Sequence, residues 1–172
     1  MTTMTGEAPK THQNTSLVAV MSEPSVEEIE RSLLALAWVA RSSLSEIERA
    51  IASRSTDMAA LNLRIKSVAD TFGGIAGFLS DSNRPHEQLA CDLAAAACFT
   101  AYWHGRVYRG ATERLASTAP TSRYAALYER LHHRATVQWG KATEAAREEA
   151  HRALALLCDA FPNAFDHLDP NA

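Results

Sequence analysis

Apolar residues recur along most of this chain at spacings of three and four, the period of one face of an α-helix. Between residues 25 and 53 they are Val26, Ile29, Leu33, Leu36, Ala40, Leu44, Ile47 and Ile51. From 57 to 79 the alternation of three and four is unbroken through Met58, Leu61, Ile65, Val68, Phe72, Ile75 and Leu79. A seam of that kind predicts near-antiparallel packing on a neighbouring helix. Over 84–117, Leu89, Leu93, Ala96, Ala97, Thr100, Val107, Ala111 and Leu115 share one face, and the opposite side carries Cys91, Cys98, Phe99 and Tyr102. A helix that is apolar nearly all round predicts an inner position, with the other helices packed against it. The last segment, 121–160, has its apolar positions at Tyr124, Leu127, Leu131, Ala135, Ala142, Ala146, Ala153 and Leu157.

The punctuation between these segments supports the same division. Ser25-Val26-Glu27-Glu28 fits a capping box, and Ser55-Thr56-Asp57 offers N-caps for the second helix. Asp81-Ser82-Asn83 predicts the cap of the third helix, with Pro85 in its first turn. Thr118–Thr121 supplies the next turn and cap, and Phe161-Pro162-Asn163 the stop. Two interruptions are expected: a kink or close helix crossing at Gly73-Gly74, and a bend at Gly140. Nowhere do β-branched residues alternate over a strand's length, and no internal repeat is found. The pattern therefore predicts an all-α fold, an up-down-up-down bundle of about four long helices at 25–53, 57–79, 84–117 and 121–160. Residues 23–161 form the bundle domain, 1–22 a disordered or loosely attached tail, and 162–172 a short C-terminal tail.

Composition adds little to this except by exclusion. With 172 residues, 47% hydrophobic and 22% charged, the chain has the size and balance of one globular domain. No apolar run approaches the roughly 18 residues of a membrane span, and Leu17–Met21 has no basic cluster before it, so neither membrane partner nor secretory signal is expected. Three cysteines, all in helical patterns, read as buried thiols of a cytoplasmic protein.

Charge changes the picture more. The formal net charge of −3 gives no bulk attraction to nucleic acid, but 14 of the 17 basic residues are arginine and they are segregated. Arg123, Arg130, Arg134, Lys141 and Arg152 fall within about 40° of one azimuth on the fourth helix. Arg106 and Arg109 are interleaved with Tyr102, Trp103 and Tyr108 on the third. The first helix is the reverse, with Glu23, Glu27, Glu28, Glu30, Glu46 and Glu48 against Arg31, Arg41 and Arg49. One reading has the acidic first helix neutralising these arginines, within the bundle or between subunits. The other makes Arg106, Arg109, Arg123, Arg130, Arg134 and Lys141 a phosphate- or partner-binding surface, with Tyr102, Trp103 and Tyr108 available for stacking.

Site chemistry of other kinds finds little support. Glu129–His132 and Glu148–His151 match the Glu-x-x-His motif of di-iron bundles, yet both lie on one helix and the second helix has no Glu, so no metal site and no cofactor are expected. No Gly-x-Ser-x-Gly occurs, and Cys98 and Cys158 have no cation in their own turns. His104, on the apolar face beside Thr100 and Val107, is a candidate buried ligand contact. The expectation is a non-catalytic interaction or assembly subunit acting through helix surfaces, with a protein partner or by self-association as a dimer. The alternatives are a nucleic-acid-contacting subunit of a nucleoprotein assembly using the arginines of the third and fourth helices, and a ligand- or cofactor-binding bundle centred on His104 and Trp103.

Overall fold

A computed structural model describes residues 25–54 and 57–162. It contains four helices, α1 (Val26–Ala52), α2 (Met58–Asp81), α3 (Pro85–Ala116) and α4 (Ala125–Ala160), and no strand among the described residues. This is the expected all-α, up-down-up-down bundle. The tails expected at 1–22 and beyond Pro162 lie outside the described residues.

Capping explains where each helix begins and ends. Ser25 closes the capping box on α1: its hydroxyl accepts from Glu28 N, and Glu28 Oε2 accepts from Ser25 N at 2.9 Å. Asp57 caps α2, accepting from Ala60 N at 3.0 Å. The Asp81–Asn83 segment does not cap α3 as expected; it terminates α2. Asn83 takes a left-handed φ of 51°, while Arg84 N donates to Leu79 O and Asn83 N to Ser80 O, the paired bonds of a Schellman motif. Pro85 then opens α3 without a side-chain cap, its missing N–H being one of the donors a helix start leaves unbonded. α4 starts four residues after the expected cap. Ser122 N donates to Ala119 O and Ala125 N to Ser122 O, so two successive tight turns consume the stretch through Tyr124.

Consecutive helices are neighbours. α3 packs along both α2 and α4, α1 packs on α2, and α1 and α4 approach each other only slightly. The bundle is thus a folded sheet of helices with one weak seam. Its bulk comes from α2: Leu61, Ile65, Val68, Phe72, Ile75 and Leu79 are all buried, as the unbroken alternation predicts. α1 contributes Leu33, Ala37, Ala40, Leu44 and Ile47, and α4 contributes Leu154 and Leu157 among alanines.

Two sequence expectations are corrected here. α3 lies between two helices but is not buried all round; it sends only Ala90, Cys91, Ala94, Cys98, Ala101 and Gly105 inward, the small side chains that let flanking helices come close. Leu127 and Leu131 of α4 are exposed rather than core, and nothing on α4 before Ala135 is buried. The cause is length. α2 begins beside Tyr108–Glu113 of α3, so the distal end of the α3–α4 hairpin extends past α1 and α2 and has no third helix to cover it.

The glycines also sort differently from expectation. α2 runs unbroken through Gly73-Gly74 and α4 through Gly140; a Cβ at Gly73 or Gly140 would meet open space, and one at Gly74 would make an ordinary 3.6 Å contact with Leu36. The close crossing lies at Gly105, where a Cβ would collide with the side-chain amide of Asn62 on α2. Asn62 is 3% exposed and neither its Oδ1 nor its Nδ2 has a hydrogen-bond partner, an arrangement that costs about 1–3 kcal/mol. These contacts set opposite outcomes for the same substitution. Gly73→Ala should raise stability by about 1 kcal/mol through helix propensity. Gly105→Ala should lower it by about 1–3 kcal/mol through overpacking, with Asn62→Ala in the same chain recovering most of the loss. Urea denaturation of the four variants checks this, and additive effects of Asn62→Ala and Gly105→Ala would refute the contact.

Candidate interaction surface

α3 has two faces of opposite character. The inward face is small and buried. The outward face carries Leu89, Leu93, Trp103 and Val107, exposed by 57, 47, 48 and 61%. These positions, with Ala96 and Thr100 between them, follow the alternation of four and three that marks a helix-packing seam. Thr100 Oγ1 donates to Ala96 O at 2.8 Å, so the one hydroxyl in the stripe is satisfied within its own helix. Phe99, Tyr102 and Trp103 form an aromatic cluster with ring centroids 5.6–6.1 Å apart at its middle. Of the face that the sequence suggested would meet the other helices, Ala97, Ala111 and Leu115 are half-buried, while Leu89, Leu93, Thr100 and Val107 are left open.

Of the candidate stacking residues, the structure frees one. Tyr108 lies face to face on Trp139 of α4, at 5.3 Å and 4° between planes, and also meets His132. It belongs to the α3–α4 packing. Tyr102 is half-buried beside Asn62 and Leu63 at the edge of α2, in a groove that also holds Arg106 and Arg109. Trp103 is exposed, with the Arg106 guanidinium 4.9 Å over its ring.

The basic residues are all on the surface, but not equivalent. Arg109 pairs with Glu113 at 2.8 Å, and Arg152 with Glu149 at 3.0 and 3.1 Å. Arg123 stacks on Tyr124 and donates to its hydroxyl at 2.6 Å. Arg130, Arg134 and Lys141 make no ion pair among the described residues. The acidic first helix does not neutralise them within the bundle. Its cross-helix pairs among the described residues are Glu46 with Arg64 of α2, and Glu48 with His151 of α4 at 2.8 Å. Asp92, which the sequence pattern does not single out, stands exposed at the edge of the α3 stripe and also has no ion-pair partner among the described residues.

Two further concavities lie along the helix seams. One, of about 680 Å³, runs between the distal ends of α3 and α4 and is lined by His104, Val107, Leu131, Arg134 and Gln138. His104 is half-buried there and makes no hydrogen bond among the described residues; Trp103 does not line the same groove. The second, of about 400 Å³, opens at the weak seam between α1 and α4. Its floor is Ile65, Val68, Cys98 and Ala101, and its rim Glu48, Glu144 and Arg147. Arg147 is held by an ion pair with Glu144. Among the described residues no three His, Cys, Asp or Glu side chains come together as a metal site, and no helix is long and apolar enough to cross a membrane.

No family model, curated protein or solved structure matches this chain. The geometry alone speaks for what it does.

Burial sets two of the three thiols apart from the third. Burial pushes Cys91 up to about 12, helped by Asp92 and Glu87, and burial alone pushes Cys98 up to about 12. Cys158 is half-buried and raised chiefly by burial, with Arg41 opposing the shift. At pH 8, iodoacetamide should therefore modify native Cys158 well before Cys91 or Cys98, as mass spectrometry of the digested protein would show. The same shifts bear on stability. The unfolded thiols ionise near 9, the folded ones near 12, so this contribution is whole below pH 9 and declines as the pH climbs from 9 toward 12. Rapid labelling of native Cys91 at pH 8 would contradict both expectations.

Proposed function

We propose that this chain is a non-catalytic helical assembly subunit that acts through the outward face of α3 and the adjoining edge of α4. One observation carries the reading: an ordered stripe of large apolar side chains, Leu89, Leu93, Trp103 and Val107, on a helix whose own core is filled by small ones. Monomeric proteins rarely leave a contiguous apolar patch of more than a few hundred Å² in water, and such patches mark interaction sites. The raised pKa values of the buried Cys91 and Cys98 favour a packing role for these thiols over thiol chemistry. A protein partner or a second copy is the natural occupant, and a cytoplasmic setting agrees with three free thiols.

A second reading has its own observation. Arg130, Arg134 and Lys141 are exposed on α4 without carboxylate partners among the described residues, which leaves them available to phosphates. In that reading the α4 edge follows a nucleic-acid backbone inside a larger nucleoprotein assembly, with Arg106 and Trp103 of α3 alongside. A ligand at His104 has weaker support, since its groove is lined otherwise by apolar residues, arginines, Tyr128 and Gln138, with no second His, Cys, Asp or Glu beside it among the described residues.

Two experiments separate these readings. For the first, the full chain at native expression level should migrate in gentle extracts as a species larger than 18.7 kDa. Leu93→Glu with Val107→Glu should return it to the free size without loss of helicity. Wild type and variant both running as the free chain would defeat the reading. For the second, short DNA or RNA should bind with an affinity that falls steeply with salt, and Arg130→Glu with Arg134→Glu should reduce the salt slope by about 2. Binding that survives this double change unaltered removes the nucleic-acid reading.

A further inference from the structure

We infer that the occupant of the α3 face is a second copy of this chain, packed antiparallel about a two-fold axis near Ala96 and Thr100. The inference rests on the assembly reading above and supplies its partner.

The stripe is self-complementary. Its centre is small, Ala96 and Thr100, and each end is large, Leu89 and Leu93 on one side, Trp103 and Val107 on the other. An antiparallel pair of helices with this alternation forms layers in which the two kinds of core position face each other. Centred on residue 98, the layers are Ala96 against the other copy's Thr100, Leu93 against its Trp103, and Leu89 against its Val107. The small central layers let the helices come close, and the hydroxyl of Thr100 is already bonded to Ala96 O, so burying it leaves no donor unsatisfied. Phe99 of each copy falls beside the axis, placing the aromatic cluster where interface energy concentrates.

Charge selects the same register. Asp92 and Arg106 flank the stripe on one side, and Asp92 makes no ion pair among the described residues while Arg106 only overlies Trp103. Fourteen residues, about 21 Å of helix, separate them, too far to pair within one chain. In the antiparallel register each Asp92 meets the other copy's Arg106, giving two symmetric pairs. A parallel pair would leave all four charges unmatched. The stripe from Leu89 to Val107 is about 27 Å long, roughly five turns of helix, enough for all three layers to be made twice, once on each side of the axis.

Sedimentation of the full chain at micromolar concentration should give a species at twice 18.7 kDa. Asp92→Arg and Arg106→Asp, each alone, should weaken dimerisation by about tenfold or more, because each sets like charges opposite one another twice. An equimolar mixture of the two variants should restore the dimer. At one end of that mixed pair the two substituted side chains carry opposite charges and face each other. At the other end the native Arg106 of the first variant faces the native Asp92 of the second. A monomer at 100 µM or so, far above the range of specific complexes, overturns the inference while leaving a different protein partner to the extract experiment. A dimer indifferent to both charge variants but lost in Leu93→Glu with Val107→Glu overturns this register and retains the face. A dimer that survives all of these variants overturns both.

Discussion

The fold depends on the burial of one face of α2. Its large side chains, from Leu61 to Leu79, fill the space between α1 and α3, and Phe72, Ile75 and Leu79 are wholly removed from water. Each such side chain is worth about 1.5–3 kcal/mol of transfer energy. No other helix concentrates as much apolar volume, so α1 and α3 are positioned by their fit to α2. The tightness of that fit shows where Asn62 meets Gly105. There the helices stand so close that a single methyl group would not fit, and the buried amide finds no partner. Apolar packing along the rest of α2 must outweigh that local penalty.

What happens at α3 follows from this constraint. A helix bracketed by two others at close range can send only small side chains into the bundle, and α3 sends alanine, cysteine and glycine. Apart from Tyr102 and Tyr108, which pack at the edges of α2 and α4, its larger residues are left on the remaining face. The exposed stripe is therefore the complement of the packing solution inside: α2 supplies the volume of the core, α3 supplies close approach, and the bulk that α3 does carry faces outward. The proposed interface and the core are two consequences of one division of side-chain size along a single helix.

This division also explains how far the sequence can be read. The four helices, the capping box at Ser25 and the seam of α2 all follow from local periodicity and capping, which depend on residues within a turn or two of one another. The orientation of α3 does not. Both of its faces are apolar enough to be core, and only the identity of its neighbours decides between them. Periodicity points to Leu89, Leu93 and Val107, while size matching against Phe72 and Ile75 favours Ala90, Ala94 and Ala101. Gly105 draws no notice in the sequence for the same reason, because its necessity comes from Asn62, forty-three residues away. Gly73 and Gly140, the glycines that stand out, meet nothing that requires them. The arginines are visible as a stripe, but whether a carboxylate reaches each one depends on how helices turn toward one another.

The weak seam between α1 and α4 has a further consequence for how the molecule can work. α1 is held almost entirely by α2, and across the seam it has the exposed Glu48–His151 pair, of a kind that contributes little in water. α3 and α4, by contrast, are bound along most of their length, with the Tyr108–Trp139 stack near their distal end. A surface on the α3–α4 pair is therefore carried by the half of the bundle with the more extensive helix packing. An interface built there loses little conformational freedom on association, because the side chains that meet a partner stand on helices already fixed by their packing. The cleft over Ile65, Val68 and Cys98 lies on the other side of the core, at the seam itself. Opening α1 would enlarge that cleft without disturbing the α3 stripe, so the two features can act independently.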